Sequence, residues 1–442
     1  MSKHTQDEIA TSTTLSTGLV EEKVGYKETK LGLIPEDWSV CTFRDIADKN
    51  VKWSITGGPF GSDLKAEHYK EEGIRIIQLQ NIGDGEFRNK SKIYTSLDKA
   101  DQLLACNIFP GEIILSKMGD PVARACKIPN TEKRWLMGSD GIRLVIDESQ
   151  YDKRFVLDYI NYSIFRKLAI SRSTGSTRRR IGLVDLKKIP FVKLPLPEQQ
   201  KIASILNTWD KAIAAQEKLI AQKQALKKGL MQQLLTGKKR FIGFEEKWNK
   251  TELKEIGTII RGASPRPKGD PRYYGGNVPR LMVKDVTRDG KYVTPKIDFL
   301  TEAGASKSRP CKAGTLTIVC SGDVGVPSFL AVDACIHDGF LAIIDIKHSL
   351  IDSDFLYYQL KRLRARMERS ATHGGVFTNL TTTILKDFII EIPPLKEQLE
   401  IINVLAKADR EVNKLEMKLE KIISQKQGLL QQLLTGEKRV KI

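Results

Sequence analysis

The segment LMQQLLTGKKR at Leu230–Arg240 returns as LLQQLLTGEKR at Leu429–Arg439. Nine of the eleven positions are identical, at an offset of 199 residues. The same offset runs back without a gap, placing Glu198 and Gln199 on Glu397 and Gln398, and Ile202, Leu206 and Asp210 on Ile401, Leu405 and Asp409. A segment of about forty residues is therefore duplicated, and a repeat of this length sets the architecture. The regions before each copy match more weakly but in the same order. Trp38 falls on Trp248, Asp140-Gly141 on Asp338-Gly339, and Gly175 on Gly374. The chain reads as two copies of a unit, each a divergent globular domain followed by a well-matched helical segment.

The helical segments carry a heptad seam. In the second copy the apolar positions are Ile401, Leu405, Ala408, Val412, Leu415, Leu419, Ile422, Leu429 and Leu433, with Lys426 as the polar exception. Steps of four and three alternate, which is the pattern of one helix packed on another. In the first copy Ile202, Leu206, Trp209, Ile213, Ile220, Leu230 and Leu234 hold the same register, interrupted by Gln216, Lys223 and Lys227. Pro195, Pro197, Pro393 and Pro394 mark the starts, and Gly237 and Gly436 follow the last turns. Each helix is expected to span about 39 residues, or about 58 Å. Both partners are already in the chain, so antiparallel pairing within it is favoured over a coiled-coil homodimer. Gly229 and Gly428 lie inside the helices. The matched pair suggests a close helix approach, or else a tolerated relic.

The globular regions read as α+β. Short β-like runs occur at Ile74–Leu79, Glu112–Leu115, Ile142–Ile146, Leu316–Val319 and Phe340–Ile346. A helical stretch precedes each repeat, at Phe155–Ala169 and Asp354–Ser370.

Composition narrows the partner. The chain has 442 residues and a formal net charge of +18. Such a charge attracts a polyanion, and nucleic acid is the common one; solvated lysine-rich faces would give the same sum. No run approaches the ~18 apolar residues of a membrane span, and the N-terminus lacks the apolar stretch of a secretory signal. These features predict an intracellular, cytoplasmic protein. The six cysteines form no C-x-x-C and the five histidines no ligand spacing, so no metal site is expected.

Catalytic signatures are missing as well. There is no G-x-x-x-x-G-K-[ST] phosphate loop. GGPFGSDL at Gly57–Leu64 does not match the dinucleotide fingerprint. Pro393-Pro394 lacks the acid or amide before it and the aromatic after it that an amino-methyltransferase tetrapeptide requires. The absences point to a binding protein.

Two basic segments remain. STGSTRRRIG at Ser173–Gly182 sets three arginines after a Gly/Ser/Thr loop; the aligned ATHGGVFTNL at Ala371–Leu380 carries His373, Thr378 and Asn379 instead. Arginine forks onto guanine and asparagine onto adenine, so two copies could read different sequences; a solvated turn is the bland alternative. KRLRARMER at Lys361–Arg369 suits a solvated or phosphate-facing helix surface better than a base reader.

LGLIPEDW at Leu31–Trp38, GPFGSDL at Gly58–Leu64, LPLPEQQKIASIL at Leu194–Leu206, IPPLKEQLEIINVL at Ile392–Leu405 and the doubled QQLLTG endings together resemble the specificity subunits of type I restriction–modification systems. The resemblance covers nearly the whole chain. It implies two similar globular target recognition domains separated by two long antiparallel coiled-coil helices, with an internal pseudo-two-fold repeat. It divides the chain into a flexible leader over 1–30, a first recognition domain over 31–195, a helical region over 196–240, a second recognition domain over 241–392 and a second helical region over 393–442. The leader, Ser/Thr-rich over 1–26, reads equally as a tail or as a contact with a modification subunit.

By this resemblance the chain is not an enzyme and holds no cofactor. Each domain would read one half of a bipartite site in double-stranded DNA, and the helices would set the spacer and dock two modification subunits. Those subunits would carry S-adenosylmethionine; two restriction subunits, where present, would use ATP and Mg. The family supplies no residue code. Turns and strand ends nominate Gln80, Asn81, Lys117, Arg178, Arg179 and Arg180 as DNA contacts in the first domain. The second contributes Arg261, Lys284, Asp285, Ser321, Thr378 and Asn379. Trp209, Leu230, Leu234, Leu429 and Leu433 are the candidates for the partner interface. The alternatives are a stand-alone sequence-specific DNA-binding coiled-coil protein and a self-contained nuclease or methyltransferase; binding of S-adenosylmethionine by the isolated chain would single out the last.

Overall fold

The structure is a computed structural model that describes residues 25–176, 178–374 and 377–442. Most of the expected leader, residues 1–24, lies outside the described residues; Tyr26–Thr29 pairs antiparallel with Gly32–Pro35. The fold is α+β. Two compact units divide the chain, one running to Ile213 and completed by Lys421–Ile442, the other spanning Ala214–Glu420. Each unit holds one globular domain and a half of each long helix.

The two globular domains repeat one plan. In the first, a four-stranded antiparallel sheet runs in the order Ile55–Gly57, Gly141–Leu144, Ile113–Ser116 and Ala125–Lys127. In the second, Thr258–Arg261, Phe340–Ile344, Leu316–Val319 and Pro327–Leu330 take the same order, with Tyr292–Val293 added at the edge. Ile113–Ser116 and Leu316–Val319 are buried along their whole length, so apolar residues dominate without alternation, and the buried Ser116 and Thr317 are hydrogen-bonded. A second sheet in each domain contains one parallel pair, Ile74–Ile77 with Trp135–Met137 and Tyr274–Leu281 with Ala334–Ile336. Entry and exit strands close each domain, Ser39–Thr42 on Pro190–Lys193 and Asn249–Glu252 on Ile389–Ile392.

The first domain departs from its sequence reading at one helix. The expected stretch Phe155–Ala169 is two helices, Lys153–Asn161 and Ser163–Ser171, whereas Ser353–Ser370 is continuous. Asn161 explains the break. Its amide nitrogen donates to the Ala125 carbonyl at 2.9 Å and its oxygen accepts from the Ala125 N–H at 3.0 Å, which pins the helix end to a strand. Arg166 then donates Nε to the Ile160 carbonyl at 3.1 Å, satisfying a group that the break releases.

The long helices are Leu196–Leu234 and Leu395–Leu434, 39 and 40 residues. Pro197 sits in the first turn, where a missing N–H costs nothing. The helices run antiparallel, since contacts climb one as they descend the other. The polar residues that interrupt the seam all find partners across it. Gln216 donates to the Leu415 carbonyl at 3.0 Å and Lys223 meets Glu411 at 2.6 Å. Lys227 pairs with Asp409, and Lys426 with Asp210 at 2.5 Å. The last two are the same pair in the two copies.

The Glu-Gln pair repeated at each helix start is a junction. Glu198 accepts from Arg439, at 2.7 and 3.0 Å, and from the Trp38 indole at 3.0 Å. Glu397 accepts from Arg240, at 2.9 and 2.7 Å, and from the Trp248 indole at 3.0 Å. Gln199 and Gln398 each accept the backbone N–H of an aspartate that caps a helix, Asp152 and Asp352, and donate to two carbonyls.

The inner glycines do not mark a close helix approach. A Cβ added at Gly229 or Gly428 would meet nothing within 4 Å. Gly436 differs: its φ is +72°, and a Cβ would lie 2.5 Å from the Pro35 ring. Gly428→Ala should therefore raise unfolding stability by about 1 kcal/mol, while Gly436→Ala lowers it. Urea denaturation of the two variants beside the parent checks both signs.

Candidate nucleic-acid interface

In each domain, part of the nominated set gathers at an Asp-Gly turn: Lys117 and Arg178–Arg180 in the first, Arg261, Ser321 and Asn379 in the second. In the first, the N–H of Lys117, just past strand Ile113–Ser116, donates to the Asp140 carbonyl at 2.6 Å. The hairpin of Ser173–Thr174 and Arg180–Ile181 docks beside it. Its Ile181 N–H donates to the Lys117 carbonyl at 3.0 Å, and Gly119 N–H donates to the Arg179 carbonyl at 3.1 Å. The Arg180 guanidinium donates to the Asp140 carboxylate at 2.9 Å. Arg178 and Arg180 are exposed and Arg179 half-buried. Gln80 is exposed at the rim of a cleft of about 510 Å³ that Asp140 and Arg124 also line. Phe60, 80% exposed, projects from the loop that starts at Gly58, whose N–H donates to the Gly141 carbonyl at 2.8 Å.

Asn81 stands apart as a correction. It is buried, accepts the Gln78 N–H at 2.9 Å and donates to the Arg88 carbonyl at 2.9 Å. Its amide organises a turn and does not face outward.

The second domain repeats the gathering around Asp338. Arg261 donates to the Asp338 carbonyl at 3.1 Å and to the Asn379 amide oxygen at 3.3 Å. Ser264 donates to the Asp338 carboxylate at 2.6 Å. Burial pushes this carboxyl up, but the Ser264 hydroxyl and His337 outweigh burial and hold it below its ordinary value. Ser321 bridges Asn379, as Met118 bridges Arg180 in the first domain. Arg180 and Asn379 thus occupy one structural position. Thr378 lies in strand Phe377–Asn379, opposite His373.

Lys284 is exposed on the short helix Val283–Asp289. Its neighbour Asp285 is a second correction. Fully buried, it accepts the N–H groups of Met282 and Lys296 at 3.1 and 3.0 Å and pairs with Arg288 at 2.9 Å.

Four of the five candidate interface residues also turn inward. Leu234 and Leu433 are core residues, and Leu230 and Leu429 pack against the cores. The seam periodicity that selected them is the periodicity of burial. Trp209 is half-buried. Sequence reading passed over Asp140, Asp338 and Ser264 as site residues, although the aligned Asp-Gly pairs already marked the turn.

Among the described residues no group of three or more His, Cys, Asp or Glu side chains could hold a metal ion. No helix of the described residues is long and apolar enough to cross a membrane.

Comparison with known proteins gives the family. A sequence profile described as the type I restriction modification DNA specificity domain matches residues 35–223 and 245–425. The chain is 26% identical over 437 residues to a Methanocaldococcus jannaschii protein assigned as the MjaX type I restriction enzyme specificity subunit, covering 94% of this chain and 97% of that one. It is 27% identical over 275 residues to the EcoR124I/EcoR124II specificity subunit of Escherichia coli, covering 59% of this chain and 65% of that one. A chain from a structural study of complex assembly and conformational transition in a type I R-M system shares the fold. Its TM-score is 0.60 at 16% identity, covering 92% of this chain and 99% of that chain.

The chain belongs to the type I restriction–modification DNA specificity family. It is the DNA specificity subunit of such a system, non-catalytic, working with DNA and with partner subunits that hold the cofactors.

Urea melts separate the two kinds of nominated residue. Asn81→Ala and Asp285→Ala should each cost about 1–3 kcal/mol, because buried partners lose their bonds. Gln80→Ala and Lys284→Ala should stay within about 0.5 kcal/mol of the parent.

Proposed function

We propose that each globular domain reads one half of a bipartite, asymmetric DNA site, and that the paired helices set the gap between the halves. In this reading, residues 31–195 and 241–392 are the target recognition domains, and 196–240 and 393–442 the helical regions. Gln80, Lys117 and Arg178, Arg179 and Arg180 face one half-site. Arg261, Lys284, Ser321, Thr378 and Asn379 are assigned to the other. The observation that carries this is the equivalence of Arg180 and Asn379, each bridged to the loop after an equivalent strand. Arginine selects guanine and asparagine adenine, so the same place in the two domains favours different bases.

Two modification subunits dock on the helices, and restriction subunits join where the system has them. Supporting this, Leu226, Leu399 and Met417 on the long helices are 56%, 50% and 55% exposed, outside the seam. Apolar side chains repeated along an outer helix face suit a helical partner.

The test is co-expression with the cognate modification subunit, followed by single-molecule sequencing of modified bases. A methylated motif of two short blocks with a fixed gap is expected. Exchanging residues 31–193 for the matching domain of a relative should change one block only; a change in both would refute independent reading. Arg180→Ala should relax one position of the first block, with a loss of about 1–3 kcal/mol in discrimination.

A further inference from the structure

The helix Ser353–Ser370 carries the basic run whose role the DNA-reading turns do not explain. It borders a cleft of about 1120 Å³ that lies wholly within the second unit, between this helix, the Asp289–Tyr292 turn and the local halves of the long helices. On its lining, Lys227 pairs with the Asp409 carboxylate and has the Lys361 amine as its charged neighbour. Lys361 lies over the Tyr357 ring at 5.7 Å, and no carboxylate pairs with it among the described residues. Tyr358 donates its hydroxyl to Asp409 at 2.6 Å.

The first copy shows what is unusual here. There Lys426 and Arg154 share two carboxylates, Asp210 and Asp158, at 2.5 to 2.8 Å. In the second copy, Tyr358 stands where the first has Asp158, and Lys361 stands where the first has Asn161. Asp354, at the place of Arg154, is already paired with Lys291 at 2.8 Å. Lys227 and Lys361 thus have Asp409 as the one carboxylate in contact, with Glu416 acting on Lys227 from further off and Lys291 adding positive charge beside Lys361. Two like charges in contact are stable there when an anion bridges them or when one loses its proton. Burial, followed by the neighbouring Lys361, brings Lys227 down to about 8, and burial lowers Lys361 as well.

We propose that this cleft is an anion site in which Lys227 and Lys361 together grip a phosphoryl group. The paired amines suit a compact, multiply charged oxyanion, since three N–H donors from each converge on one spot. Tyr292, 57% exposed on the cleft wall, offers a ring face to a base attached to that phosphate. The phosphoryl group has two possible sources, a free nucleotide or a DNA strand. A small anion is favoured over an acidic protein helix because the unpaired charge sits at one point of the lining, whereas a helix would need it spread along a face.

Titration calorimetry on the full chain tests this with pyrophosphate, ATP and a DNA duplex of unrelated sequence as probes. Pyrophosphate should bind. Near pH 8 it should carry protons onto the protein, seen as heats that change with the ionisation enthalpy of the buffer. Lys361→Asn, which installs the residue of the first copy, should weaken pyrophosphate at least tenfold and leave the thermal melt in place. ATP tighter than pyrophosphate identifies a nucleotide site; duplex that displaces pyrophosphate identifies a DNA strand. Absence of pyrophosphate binding overturns the proposal, as does equal affinity in a folded Lys361→Asn. If the cleft takes up only purified modification subunit and no anion, it is a protein-docking surface and the proposal fails. Because the probes carry no recognition motif, failure of this site leaves the half-site reading intact.

Discussion

A buried carboxylate fixes the architecture in both copies. Glu198 and Glu397 are almost wholly removed from water, and an ionised carboxylate in such a place demands full compensation. Each receives an arginine fork and an indole N–H. The glutamate opens one long helix, the arginine follows the end of the other, and the tryptophan immediately precedes an entry strand of a globular domain. One residue therefore ties three segments that are distant in sequence. The adjacent glutamine extends the tie to a fourth, by accepting the N–H of the aspartate that caps the following domain helix. Removing the arginine would leave a buried carboxylate without its counter-charge, so Glu at the start and Arg after the end form one unit in each repeat.

The seam between the helices depends on a milder form of the same constraint. An apolar a/d stripe alone stabilises many registers and both orientations. The polar interruptions remove that freedom. Lys227 meets Asp409 and Lys426 meets Asp210, so the same pair closes in each copy. Gln216 adds a bond to a main-chain carbonyl that a shifted register would leave without its donor. What the heptad count reads as defects are the residues that specify antiparallel alignment.

Much of this was legible in the sequence, and the failures have physical causes. The duplication exposed the helices to within a residue or two, because a 39-residue amphipathic pattern is long enough to exclude other periods. Leu316–Val319 and Phe340–Ile344 were readable as runs of buried strand. The break between Asn161 and Ser163 was not, because its cause is a side-chain bond to Ala125, thirty-six residues away. Asn81 and Asp285 looked like readers because polar residues in turns also face solvent; their burial depends on neighbours that spacing does not reveal. The seam leucines pack inward, Leu234 and Leu433 fully and Leu230 and Leu429 in part, since the strongest apolar signal marks what the chain itself consumes. Gly229 and Gly428 show that a matched pair can record common descent and no packing requirement at all.

The frame that carries the candidate readers is built from main chain. The hairpin holds the strand ends through Ile181 N–H to the Lys117 carbonyl in one domain and Leu380 N–H to the Cys320 carbonyl in the other, at 3.0 and 2.9 Å. The Asp-Gly turns are held through N–H groups of the same residues, at 2.6 and 2.8 Å. Backbone bonds do not depend on which side chain stands at 117, 180, 320 or 379. The position held by Arg180 in one copy can therefore be held by Asn379 in the other without altering the hairpin or the sheet. Sequence drift there changes the exposed side chain and leaves the backbone bonds of the domain in place. That separation of frame from reader is why two domains of one chain can keep a common fold while their surfaces diverge.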